Sequence, residues 1–383
     1  MTEEEKIEQT QPDLIDKELE ILVSTGQFES QGSNIEYKVL ISAEIEKLKS
    51  AIEKSHKLGE FLKGRDWEAL ALIRRFDSKT LYHSLNTYSI LRNKIHEIVL
   101  PDGRLLIDYI NEQEEFTEHE LYRAAVLHDV GKIKIPSLII NNVISRDRWK
   151  AKFKQQSFEE QKRQLRRLAE IDGLDIPEHV YATQESLEAF IEEKKISPTL
   201  LVPIANGLFP DEIESIREQG YDPDLPLGIL VRCHEQYSAE IIRQLSDEND
   251  SSNNRVAELA SHHHNYGRDK TFAEQNPAST TSLAISENFA EFLPQIIALA
   301  DIQEAMESSL RNYRKGPAKQ IEKFNEIIMR ADTGINPFFT AVWLKPELDF
   351  LEKQHTVVSP DEAKALKKIY AWVEDQLNKK PPK

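Results

Sequence analysis

The chain has 383 residues, 39% hydrophobic and 30% charged, enough for one large domain with an appendage or for two domains. A net charge of −17 argues against polymeric nucleic acid as a partner; an anionic substrate would need local positive charge, most simply from bound metal ions. The single cysteine, Cys233, excludes an internal disulfide and a thiolate metal cluster, no apolar run reaches the length of a membrane span, and the acidic stretch from Met1 to Lys6 has the wrong charge for a signal peptide, so a cytoplasmic protein is expected.

Glycine is scarce (13 residues) and the apolar residues recur mostly at helical spacing, which predicts an all-α chain. Residues 1–12 are polar and acidic and read as a disordered tail. Leu14, Ile15, Leu19, Ile21 and Leu22 suggest a short amphipathic helix, residues 37–41 fit a strand or a helix start, and residues 43–62 repeat helically through Ile45, Leu48, Ile52 and Leu58. Residues 1–66 therefore read as an acidic tail and a mainly helical appendage that packs on the main domain or pairs with a second copy, a homodimer contact, in preference to a separate sensor domain.

A helical segment from Trp67 to Phe76 leads to Asp77-Ser78-Lys79-Thr80-Leu81-Tyr82-His83-Ser84, where a second helix begins and continues through Tyr88, Leu91 and Ile95. A turn at Pro101-Asp102-Gly103 precedes a helix from Glu118 into His128-Asp129, with Pro136 expected to stop it. Residues 146–226 are polar, and from Arg146 to Leu168 nine Lys/Arg stand against three Asp/Glu, a balance of +6. We read this as a solvated helix whose Trp149, Phe153, Leu165 and Leu168 pack inward, in preference to a basic lid; Pro203, Pro210, Pro223 and Pro226 break the later part of the stretch into short pieces. An apolar helix over residues 227–245 carries His234 and Glu235, residues 247–254 form a polar loop, and a helix from Arg255 ends in His262-His263-His264. Residues 292–301 form an apolar helix ending on Asp301, a carboxylate costly to bury there unless paired or metal-bound. Arg311, Tyr313, Arg314 and Lys315 make a cluster able to contact phosphate, and Ser359-Pro360-Asp361-Glu362 opens the last helix as an N-cap, a first-turn proline and a capping-box glutamate.

Leu127-His128-Asp129-Val130-Gly131-Lys132 organises these parts. A histidine next to an aspartate can serve one metal held deep between helices, and Lys132 falls three and four residues on, over the same face. With His83, His234, His262-His263 and Asp301, the chain offers five imidazoles and two carboxylates, more than one ion uses. If Asp129 bridges, two ions ~3.5–4 Å apart can be held, the spacing of two-metal phosphoesterases. Nitrogen and oxygen donors without sulfur suit two divalent transition metal ions, Fe, Mn, Zn or Ni.

The order His83, His128-Asp129 with Gly131-Lys132, His234, His262-His263, Asp301 resembles the HD-GYP branch of the HD metal-dependent phosphohydrolases. The likeness extends to Asp77-x-x-Thr80-x-x-His83-Ser84, to Ile133-x-Ile135-Pro136 after Lys132, to Ala300-Asp301-Ile302-x-Glu304-Ala305, to Arg311-x-Tyr313-Arg314-Lys315, and to Asn336-Pro337 before Phe338 and Val342. It spans about residues 70–142 and 227–350.

The resemblance implies an HD-type helical bundle around a metal site and hydrolysis of a cyclic dinucleotide, cyclic di-GMP, in bacterial signalling. The domain would cover residues 67–355, with 146–226 as an insertion and 356–383 as a C-terminal helix and tail. It also implies that His83, His128, Asp129 and Asp301 hold one ion (Fe or Mn foremost) and that Asp129, His234, His262 and His263 hold the other. Lys132 would stabilise phosphoryl charge or protonate the leaving oxygen, while Arg311, Tyr313, Arg314 and Lys315 would contact the substrate. Trinuclear members carry a glutamate one turn before the first histidine; Lys79 stands there, which implies two ions. The family's Gly-Tyr-Pro signature is replaced by Tyr266-Gly267-Arg268-Asp269-Lys270-Thr271. The register His262-His263 is preferred to His263-His264 because Tyr266 then falls where the family has an aromatic. The competing readings are an HD hydrolase of another nucleotide and a signalling protein that binds the dinucleotide or a partner without turnover.

Overall fold

The computed structural model describes residues 45–53, 58–112, 116–135, 146–172, 175–194, 196, 200–206, 209–218, 221–245, 251–264, 293–308, 319–331, 335–353 and 359–379. Among these the fold is all-α, and its extended pairings are two isolated bridges, Val99 with Leu105 and Pro203 with Pro226. The acidic tail, the helix at residues 14–22 and the ambiguous segment 37–41 lie outside the described residues.

The first half of the bundle comprises α1 (Gly64–Phe76), α2 (Ser78–Glu97), α3 (Leu106–Glu112) and α4 (Glu118–Leu127). Their ends obey capping chemistry. Asp77 accepts the Lys79 N–H and the Thr80 hydroxyl to start α2, so those two motif residues serve the helix end. Thr117 and Glu120 form a reciprocal capping box on α4. The turn after α2 closes through Gly103, whose φ of 88° suits a residue without Cβ. α4 stops at Leu127, not at Pro136: His128 and Asp129 form a turn and a 3-10 helix runs Val130–Lys134.

Residues 146–226 contribute α5 (Arg146–Gln155), α6 (Phe158–Asp172), α7 (Gln184–Glu193) and α8 (Pro210–Glu218). Phe153, Leu165 and Leu168 pack inward with Val180, Leu187, Leu201, Ile204 and Ile216, forming a second core anchored at both ends by Ile135 and by Leu227 and Leu230. The basic residues of α6 find local partners: Lys162 with Glu159, Arg163 with Glu160, Arg167 with Asp222, and Arg166 over the Tyr181 ring. The Trp149 side chain lies outside the described residues.

Next come α9 (Leu227–Arg232), α10 (His234–Gln244), α11 (Ser251–Ser261), α12 (Leu293–Glu307), α13 (Gln320–Ala331), α14 (Pro337–Lys353) and α15 (Pro360–Leu377). The helix expected over 227–245 is thus broken at Cys233, and α11 begins inside the stretch expected to be loop. α12 runs past Asp301 and is buried from Leu293 to Glu304, as befits a helix apolar on all sides. It lies against α2, and the main core around them runs from Leu48 to Val373. Ser359 and Glu362 form the capping box expected of α15, with Pro360 in its first turn. A buried ion pair ties α1, α4 and α11: the Arg123 guanidinium binds Asp66 through two bonds of 2.7 Å and also donates to Asn253.

Candidate metal centre

Two helix interiors, one helix start and two turns bring the candidate ligands together. His83 lies within α2, His128 and Asp129 come directly after α4, His234 opens α10, His263 and His264 form the turn after α11, and Asp301 sits within α12. Two groups of donors could each hold a metal ion: His83 with His128 and Asp129, and His234 with His263 and His264. In each group one ligand atom per residue lies within 4.8 Å of the others.

Asp129 stands between the groups, and its two oxygens face different ways. Oδ2 is 3.5 Å from both His83 Nε2 and His128 Nε2, whereas Oδ1 is 3.1 Å from His234 Nε2 and 3.9 Å from His263 Nε2. Asp301 reaches both groups too, with Oδ1 2.8 Å from His83 Nε2 and Oδ2 3.9 Å from His264 Nδ1. Lys132, three residues past Asp129, sets its ammonium against Asp129 Oδ2.

Backbone geometry fixes the tautomers. A carbonyl only accepts, so His128 Nδ1 donates to Ala125, His234 Nδ1 to Val231 and His263 Nδ1 to Ala260, each three residues back. Each Nε2 is then left to face the centre. His128 Nε2 is buried and makes no hydrogen bond, a costly state for a ring nitrogen that a metal ion would relieve. The donor set fits a divalent ion on that ground.

The electrostatics point the same way. Burial alone would raise the Asp129 carboxyl, but Lys132, His128 and His234 outweigh it and hold it well below the usual carboxylate range. Asp301 is likewise depressed, with His83, His264 and His128 overcoming burial. Burial lowers His128 and His263, and neighbouring imidazoles add to it; burial also pushes His264 down against the pull of Asp301. Ionised Asp129 and Asp301 beside neutral His128, His263 and His264 are in the protonation state that metal binding requires.

The register expected of the histidine triplet shifts by one residue. His262 turns from the centre, its Nδ1 2.7 Å from the Glu258 carbonyl and 2.8 Å from the Ser261 hydroxyl, while His264 takes the place beside His234 and Asp301. All three histidines lie in a turn, where helical spacing no longer dictates which side chain points inward. Tyr266–Thr271 and the phosphate cluster Arg311, Tyr313, Arg314 and Lys315 lie outside the described residues. Lys79, at the start of α2, is exposed.

Two residues that sequence reasoning did not place in the site serve it. Glu304, buried on α12 one turn after Asp301, puts Oε2 2.5 Å from His83 Nδ1. The signal was present, since a second carboxylate in so apolar a helix calls for a partner as Asp301 does. Ser238 on α10 accepts the Gly131 N–H at 2.8 Å and donates to the His128 carbonyl at 2.6 Å, clamping the His-Asp turn to the helix that begins with His234. No helix among the described residues is long and apolar enough to cross a membrane. A scan against family models, a search of curated proteins and a search of solved structures each found no match to the chain.

Proposed function

We propose that this chain is a metal-dependent phosphodiesterase that hydrolyses a cyclic dinucleotide, foremost cyclic di-GMP, at a binuclear His/Asp centre. The observation that carries the reading is the placement of Asp129, with Oδ2 toward His83 and His128 and Oδ1 toward His234 and His263. A carboxylate so placed can bridge two cations, and two-metal sites of this kind serve phosphoester hydrolysis. His83, His128 and Asp301 would complete one site, and His234, His263 and His264 the other. Fe and Mn are the foremost candidates, with Zn and Ni also suited to the donor set.

Divalent ions held there would supply positive charge to a phosphoryl oxygen and acidify a water molecule. The protein's own share is orientation and charge. The backbone carbonyls of Ala125, Val231 and Ala260 fix three imidazoles, and Lys132 Nζ stands where it can meet charge developing on a phosphoryl or leaving oxygen. If the leaving oxygen takes a proton in this site, Lys132 is the donor the geometry supports. In an acidic chain, bound divalent ions and Lys132 would give an anionic substrate local positive charge at this place.

Elemental analysis of the purified chain, then incubation with cyclic di-GMP and product detection, tests the proposal. Two ions per chain and a linear dinucleotide or mononucleotide product are expected. Absence of metal after reconstitution would remove the basis of the reading. The replacement of the Gly-Tyr-Pro signature by Tyr266–Thr271 favours a second reading, an HD hydrolase of another nucleotide, which two bound ions without turnover of cyclic di-GMP would support.

A further inference from the structure

His83 is oriented differently from His128, His234 and His263. His128, His234 and His263 each give Nδ1–H to a carbonyl three residues back, open to them because they sit in turns or at a helix start. His83 lies inside α2, where the preceding carbonyls are taken up by the helix's own N–H groups. Its Nδ1 meets a carboxylate from another helix instead: Glu304 Oε2 on α12, at 2.5 Å. Asn86, one turn beyond His83, offers its Nδ2 to Glu304 Oε1 at 3.5 Å.

We propose that Glu304 is the positioning residue of His83, accepting its Nδ1–H so that Nε2 is aimed at the space between Asp129 and Asp301. Glu304 is 3% exposed, and a carboxylate that deep is costly without a hydrogen-bonded partner. Asp301 and Glu304 are three residues apart, on one face of α12. One helix therefore delivers both a metal-facing carboxylate and the acceptor that orients the imidazole beside it. A carboxylate behind a ligating imidazole fixes its tautomer and raises its basicity, and losing such an acceptor weakens metal binding ~10–100-fold. Glu304 acts through His83 and does not itself hold the ion.

The inference rests on the metal-centre reading, and the test separates the two. Metal-stripped full-length protein is titrated with Co(II), monitoring heat and visible spectrum, for the wild type, Glu304→Ala, Glu304→Met and Glu304→Gln. The acceptor-free variants Ala and Met should lose about 10–100-fold in affinity for one ion, with the other bound as in the wild type. Glu304→Gln, whose amide oxygen still accepts the Nδ1–H, should recover most of that loss. Should the alanine variant fail to fold, the methionine variant, which fills the volume, carries the same expectation. Folded acceptor-free variants that bind both ions with wild-type affinity and spectrum would overturn the assignment. So would a glutamine variant that loses one ion outright, since Glu304 would then be a ligand. A wild type that binds no Co(II) would instead overturn the metal centre itself.

Discussion

Asp129 is asked to do the most of any residue in the chain. It is 1% exposed, is kept ionised foremost by the Lys132 ammonium, and is the group that both triads approach. Asp129→Ala should cut metal content steeply and remove the stabilisation that bound metal lends the fold, because binding free energy adds to folding free energy. Full occupancy by elemental analysis in that variant would exclude the ligand assignment. The register of the triplet gives a sharper comparison. His264→Ala should weaken metal binding, whereas His262→Ala, which loses bonds to Glu258 and Ser261, should bind as the wild type; the reverse pattern would restore the register His262-His263. Lys132 differs in kind, since a protonated lysine is a poor ligand. Lys132→Ala should keep both ions and most of the stability while hydrolysis falls ~10²–10³-fold, the usual cost of one electrostatic donor in the transition state. Unchanged turnover with metals confirmed present would limit Lys132 to its ion pair with Asp129.

At the scale of elements, the centre depends on how closely the 3-10 helix approaches α10. A Cβ on Gly131 would lie 2.0 Å from the His234 carbonyl oxygen and 2.3 Å from the Ser238 nitrogen, backbone atoms that no side-chain rotation can move. Gly131→Ala should therefore cost about 3 kcal/mol or more and push apart the segments carrying Asp129 and His234. A thermal midpoint and metal affinity equal to the wild type would show that the two segments are not held this tightly. These elements were legible to different degrees. Helices with strong caps, such as α2 behind Asp77 and α15 behind Ser359 and Glu362, begin where their sequences place them. Capping is local chemistry, so it survives without knowledge of the fold. The ends of α4 and α9 could not be read so. Leu127 and Arg232 precede residues with ordinary helical propensity, and the chain turns there into the candidate site through packing that only the tertiary structure supplies. The His262-His263-His264 register was hidden for the same reason. Glu304 was hidden otherwise, since the motif around Asp301 gave its place in the chain but not the His83 nitrogen it meets.

For the whole molecule, the buried charges set how the fold answers to acid. His128 and His263 are enclosed and held below the ordinary imidazole value of 6.5 by burial first and by neighbouring imidazoles, so they stay neutral in the folded chain. In the unfolded chain they take up protons below about pH 6.5. Between that value and the depressed folded value the unfolded state binds more protons, so stability is full above pH 6.5 and falls as the pH drops below it. Each such group contributes a slope of up to ~1.4 kcal/mol per pH unit. Asp129 and Asp301, also depressed, add their share at lower pH, where stability present above their unfolded value near 3.8 is lost as they protonate. Metal-stripped protein should thus lose thermal stability steadily from pH 7 to pH 5, and the metal-loaded protein should lose more, because protons then also compete for ligand nitrogens. His263→Gln should flatten the slope of the stripped protein by about one group's worth while lowering its plateau. A thermal midpoint of the stripped protein that stays level from pH 7 to pH 5 would mean that these imidazoles are open to solvent. The packed centre between α2, α4, α10, α11 and α12 would then not be the state the chain adopts in solution.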